Sequence, residues 1–241
     1  SINPQITQQP NMKTISEYKD QALEALSGNW ITGAVATLIY LLIVGGIPSI
    51  CSLSIGGDSD SLSAGDALGN VVTILLWPMI FGYTILFLNV FRRNNPRVEG
   101  LFDGFKNYGK VLGTTLLVYI YQLLWCLLLI IPGIIKGYSY SMTFYVMKDN
   151  PSLAYNDAIE ESMRLMQGHK MQLFLLDLSM IGWLILSFLT LGIGFLFLAP
   201  YNQTAHAAFY QDLIAEANPN SFDGARDYEE TINEPDFEEV K

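Results

Sequence analysis

Four long stretches of this chain of 241 residues contain no Asp, Glu, Lys or Arg: Ala25 to Gly57, Ala67 to Phe91, Val111 to Ile135 and Leu178 to Gln211. A bilayer core about 30 Å thick is crossed by roughly 20 apolar residues at 1.5 Å rise each. Each of the first three stretches holds one span, and the fourth is long enough for most of two. Hydrophobic residues make up 51% of the chain and charged ones 15%, against about 25% charged in soluble domains. These runs predict an all-α polytopic membrane protein.

The net charge of −10 is unevenly spread. Eight acids (Asp223, Asp227, Glu229, Glu230, Glu234, Asp236, Glu238 and Glu239) face only Arg226 and Lys241 after Ala217, a local net of −6. Such a tail, residues 218–241, is expected to stay solvated and disordered. No basic stripe with interleaved aromatics is present to neutralise phosphates, so nucleic acid is not an expected partner. Membrane lipids are; the sequence carries no signal for a protein partner or an oligomeric state. Ser1 to Asn29 is polar and lacks the apolar core of a signal peptide. Residues 1–13 read as a polar leader, with Met12 open as a native start. Cys51 and Cys126 read as small apolar residues, a disulfide between them staying open.

Apolar sequence runs out into Asn-Pro three times, at Asn95-Pro96, Asn150-Pro151 and Asn218-Pro219. The first two lead through an amphipathic stretch back into apolar sequence. The reading is one unit used three times, over about 14–94, 95–149 and 150–217, each a surface helix followed by a transmembrane hairpin. The first surface helix carries Ile15, Tyr18, Ala22, Leu23 and Leu26 on one face behind a Thr14 or Ser16 cap. The second carries Val98, Leu101, Phe102, Phe105 and Tyr108, with Asn95 as cap and Pro96 in the first turn. The third carries Tyr155, Ile159, Ser162, Met163 and Met166. Six spans follow: about Trp30 to Ile50, Leu68 to Phe91, Val111 to Ile131, Gly133 to Met147, Met171 to Leu189 and Phe195 to Leu213. Pro132-Gly133 is expected to turn the chain between the third and fourth. The fourth is the shortest. With both termini cytoplasmic, Lys136 is the one cation of 13 on the outer side, the bias that sets topology.

Gly28-Asn29-Trp30, the block Pro132 to Tyr145 (PGIIKGYSYSMTFY), Arg164 to Trp183 and Leu189 to Tyr210 resemble the bacterial integral membrane family catalogued as domain of unknown function nine-seven-five. The resemblance spans about Ser16 to Tyr210 and implies a multi-span inner-membrane protein with no assigned activity. It extends distantly to the membrane module of some glycerophosphodiester phosphodiesterases. No catalytic residue carries over.

Catalytic constellations are otherwise missing from the sequence. Two histidines, His169 and His206, cannot make a multi-His metal site, and no phosphate loop exists, so no cofactor is expected and the chain is not read as an enzyme. Asp177 is the sharpest polar residue, since a charge in mid-span costs about 2.5–3.5 kcal/mol on insertion scales. Equal depth on consecutive antiparallel spans brings His206 within reach of it. A proton-sensitive pair, a structural contact and a hydrated lone Asp stay open. Asn202, Gln203 and Gln122 complete a candidate intramembrane polar site. Arg92, Arg93, Arg97, Lys106 and Lys110 flank the second surface element as candidate lipid-headgroup contacts. Two function classes follow: a protein that shapes, senses or scaffolds the cytoplasmic membrane, or a small-solute or lipid transporter using the intramembrane polar groups.

Overall fold

In the computed structural model the described residues are 12–50, 64–190 and 192–218, and all regular structure among them is helical. Residues 1–11, the segment 51–63 with Cys51, and the acidic tail from 219 onward lie outside them. Helix α1 (Ile15–Leu26) begins on a reciprocal cap. Thr14 Oγ1 accepts from the Glu17 N–H at 3.4 Å, and the Glu17 carboxylate accepts from the Thr14 N–H at 2.6 Å. Gly28 then takes φ +81°, a left-handed turn open to glycine at no steric cost. Helix α2 (Trp30–Leu41) continues through a widened turn at Leu42–Gly46, which ends two residues before Pro48. A proline has no N–H for the preceding turn and its ring crowds the carbonyl there.

Helices α3 (Ala64–Leu76) and α4 (Pro78–Phe91) join through Trp77, whose backbone is helical. The next segment departs from expectation. Asn95-Pro96 opens no α-helix. Asn95 has φ +42°, and the chain forms a 3-10 turn, Val98–Phe102, followed by a single α turn, α5 (Asp103–Lys106). Close approach explains the shape. A methyl group on Gly82 would overlap the Leu101 carbonyl, and one on Gly104 would overlap that of Pro78.

Helix α6 (Tyr108–Leu128) ends at Leu129, which is extended, and α7 (Ile130–Tyr140) follows at once. The turn therefore precedes Pro132, which sits in the first turn of α7, where its missing N–H has no helical partner to lose. Gly133 packs against Cys126. Helix α8 (Thr143–Asp149) continues α7 after a short break, so the fourth apolar segment reaches from Ile130 to Asp149, longer than the expected stretch from Gly133 to Met147. Helix α9 (Tyr155–Leu165) starts behind Ala154, not behind Asn150-Pro151. Asn150 and Asn218 instead close α8 and α11, both with ψ 73°. A residue before proline is pushed out of the α region, so the dipeptide stops helices here instead of opening them. Helix α10 (Lys170–Leu189) and α11 (Phe195–Ala217) complete the chain.

Among the described residues, four segments are long and apolar enough to cross a membrane: Trp30–Ile50, Ala67–Phe91, Tyr108–Leu128 and Lys170–Leu189. The protein is thus an all-α multi-span membrane protein. The second segment is 56% buried while the others are 17, 17 and 22% buried, so α4 sits inside and α2, α6 and α10 outside. Helix α11 joins α4 at the centre, with Ala205, Ala207, Ala208 and Phe209 fully buried. The amphipathic elements, read from the sequence as surface helices, carry apolar faces. They turn those faces to the protein: Tyr18, Ala22, Leu26, Leu101, Ile159 and Met166 are all fully buried. Leu23, Phe102 and Tyr155 stay exposed.

Candidate functional site

Helices α10 and α11 are joined by a tight turn in which Gly192 has φ +86°. The antiparallel pairing places Asp177 beside His206, with Oδ1 and Nε2 2.6 Å apart. An ionised carboxylate only accepts, so Nε2 is the donor in that state. A second donor reaches the same carboxylate: Tyr138 of α7 gives its O–H to Oδ2 at 3.1 Å. The Tyr138 ring packs edge-on to Phe174, centroids 5.9 Å apart. The Asp177 and His206 side chains retain 30% and 19% exposure, so the cluster is only partly closed over. Tyr138 was not among the expected site residues, because a tyrosine beside an apolar run reads as an interface anchor.

A related contact lies on the first hairpin. Thr37 Oγ1 and Tyr83 Oη are 3.0 Å apart, joining α2 to α4. Thr37 and Asp177 each lie nine residues beyond a left-handed glycine, Gly28 (φ +81°) and Gly168 (φ +85°).

The remaining polar residues do not join this cluster as one site. Asn202 stands one helical turn from His206 on α11, and its Oδ1 is buried without a hydrogen-bond partner. Gln203 is half-buried and has no partner among the described residues. Gln122 lies elsewhere, where it ties the α6–α7 hairpin by donating to the Gly133 carbonyl at 2.8 Å and to Cys126 Sγ at 3.3 Å. Lys136, the cation expected to face outward, lies over the Trp125 ring, 5.0 Å from its centroid.

The five expected headgroup cations fare differently from one another. Arg92 is turned to the protein, forming a two-pronged pair with Asp149 at 2.7 and 2.6 Å, and Tyr210 donates to the same carboxylate at 3.0 Å. Arg93 pairs with Glu24 at 2.9 Å and Lys106 with Asp103 at 2.6 Å, while Lys110 donates to the Pro151 carbonyl. Arg97 is exposed and has no partner among the described residues. It lines a cleft of about 320 Å³ with Asn89, Asn95, Glu99, Phe102 and Lys106. Among the described residues no group of three potential metal ligands converges.

No curated protein matches this chain, so the expected distant likeness to a phosphodiesterase membrane module has no support, and no solved structure matches it either. A family model described as "Protein of unknown function (DUF975)" matches residues 12–136 and 127–217, which together span most of the sequence. The chain belongs to that family of uncharacterised membrane proteins.

Proposed function

We propose that this chain is a non-enzymatic protein of the bacterial cytoplasmic membrane that shapes, senses or scaffolds the bilayer. In this reading it has six spans in three repeats, with both termini cytoplasmic. The observation that carries it is that the charged intramembrane group is consumed by its neighbours: Asp177 accepts from Tyr138 and contacts His206, tying three helices together. Interhelical hydrogen bonds of this kind contribute about 0.6 kcal/mol each in membrane proteins.

Register supports the threefold repeat. Thirteen residues before the proline of each Asn-Pro stand Tyr83, Tyr138 and His206. Nine before it stand Phe87, Met142 and Tyr210, and six before it Val90, Tyr145 and Leu213, all six buried. These spacings fall on one helical face, and each unit turns that face inward. Thr37–Tyr83 and Asp177–His206 are then equivalent contacts of the first and third units. The second unit has Leu117 seven residues after Lys110, where the third has Asp177 seven after Lys170. The Tyr138 hydroxyl finds its partner not in its own unit but in the next, at Asp177.

A transport reading draws on one specific observation, the unpartnered buried Oδ1 of Asn202 one turn from a partly open Asp–His pair. Proteoliposomes separate the two. Scaffolding expects vesicle diameter to change with protein density and no proton-coupled solute flux; flux abolished by Asp177→Asn in a folded protein overturns it in favour of transport. Topology is checked apart from function. Single cysteines at Ser59, Asn94, Ser152 and Gly224 are expected to label from outside only at Ser59, and external labelling at Ser152 removes the fourth span.

A further inference from the structure

The cleft beside α4 brings both signs of charge to one place. Its floor includes Leu86, which is 1% exposed, and its rim carries Asn89, Asn95, Arg97, Glu99, Asp103 and Lys106. Lys106 and Asp103 neutralise each other at 2.6 Å, which leaves Arg97 and Glu99 as the cation and anion of the cleft without side-chain partners among the described residues. Of the five basic residues along this segment, the other four are occupied by protein. Phe102, 46% exposed, stands at the mouth as an apolar surface. The backbone leading into the cleft is held in an uncommon shape, with Arg93 and Asn95 at φ +53° and +42°. The Asn94 N–H anchors it by donating to the Asn89 carbonyl at 2.9 Å.

We propose that this cleft binds the headgroup of a zwitterionic, amine-bearing phospholipid such as phosphatidylethanolamine. Arg97 takes the phosphate, whose oxygens match the planar fork of a guanidinium. Glu99 takes the ammonium. The cleft sits between the end of α4 and the start of α6, at the level where apolar segments give way to charge. A headgroup there leaves the acyl chains outside, passing Phe102 toward the bilayer. A phosphatidylglycerol headgroup offers the phosphate without an ammonium and leaves Glu99 facing hydroxyls, so charge complementarity favours the amine lipid. The proposal rests on the membrane reading above and on residues 95–106 being cytoplasmic.

The test uses the full chain in detergent, incubated with phosphatidylethanolamine, phosphatidylglycerol or soluble phosphorylethanolamine and read by native mass spectrometry. Wild type is expected to retain the amine lipid in preference to the glycerol lipid. Arg97→Gln should lower that retention about tenfold, a loss of roughly 1.4 kcal/mol, with an unchanged melting temperature. Arg93→Gln, whose wild-type side chain is occupied by Glu24, should leave retention intact. Glu99→Gln should narrow the preference between the two lipids. If Arg97→Gln does not fold, Arg97→Lys keeps the charge and loses the fork, and a smaller drop is expected. Equal retention by wild type and the Arg97 variant overturns the proposal, as does equal binding of both lipids. Binding of soluble phosphorylethanolamine as tight as that of the lipid assigns the cleft to a free phosphate ester instead. Protein that leaves the membrane without detergent would overturn the membrane reading itself, a result separate from any of these.

Discussion

Replacing Asp177 by Asn keeps an acceptor for Tyr138 but weakens the contact with His206, 2.6 Å away. Asp177→Asn and His206→Gln are therefore expected to be non-additive, with a coupling of about 0.6–1.7 kcal/mol in a double-mutant cycle of unfolding in detergent. Additive losses would separate the two residues energetically. Asp177→Leu should cost more than Asp177→Asn, because it strands both His206 and the Tyr138 hydroxyl. Asp149→Ala is expected to destabilise by about 2 kcal/mol, since hydrogen bonds to charged groups contribute about 1.5–3 kcal/mol and Arg92 and Tyr210 both lose theirs. Denaturation midpoints read the difference. Asp177 and His206 were legible because ionisable residues inside an apolar run stand out by cost alone. Arg92 was not, because a basic residue after a span has the same sequence signature whether it faces phosphates or a half-buried carboxylate.

Helix α4 and the 3-10 turn meet without room for one methyl group. Gly82→Ala is expected to cost about 1–3 kcal/mol through overpacking against Leu101. At Gly28 nothing lies within 4 Å of the added methyl, and the cost, about 1–2 kcal/mol, comes from the left-handed backbone alone. The two variants separate by structure as well: Gly82→Ala should displace the Arg97 cleft and Gly28→Ala should not, as judged by cysteine accessibility at Asn95. On α9, Arg164 holds the Glu161 carboxyl below its usual range through contacts of 2.8 and 2.6 Å. A lowered folded value means the contribution is full above the ordinary carboxylate pKa and is lost as pH falls through the lowered one. Both side chains are solvent-screened, so Arg164→Ala should cost no more than about 0.5 kcal/mol at neutral pH and nothing in strong acid, read from melting temperatures at the two pH values. Helix α1 could be drawn from sequence to a cap at Thr14 or Ser16, and the reciprocal bonds of Thr14 and Glu17 decide for Thr14. Asn95-Pro96 misled because a capping Asn and a pre-proline residue outside the α region write the same two letters, and only the packing of Leu101 on Gly82 decides between them.

At the level of the whole molecule, apolar length alone gave the class, and each described helix long enough to cross overlaps a charge-free run, although Lys170–Leu189 begins eight residues before its run and carries Asp177. Which helices lie inside was not legible, because in a bilayer protein lipid-facing and protein-facing surfaces are both apolar. The inward faces become visible only when Phe87, Met142 and Tyr210 are found buried at matching distances from their Asn-Pro. Contacts then run across the units more than within them. Tyr145 stacks on Tyr210 with centroids 4.9 Å apart, Ser162 donates to the Ser139 carbonyl at 2.8 Å, and Tyr138 and Asp149 both find partners beyond Pro151. A chain severed between Ser152 and Leu153 should consequently behave as a split protein. Co-expressed fragments ending and beginning there are expected to co-purify through a tag on one of them, and Tyr145→Ala together with Tyr138→Phe should weaken that recovery. The covalent link after Pro151 would then be a tether between halves that already recognise each other, and a gene broken at that point could still encode the whole.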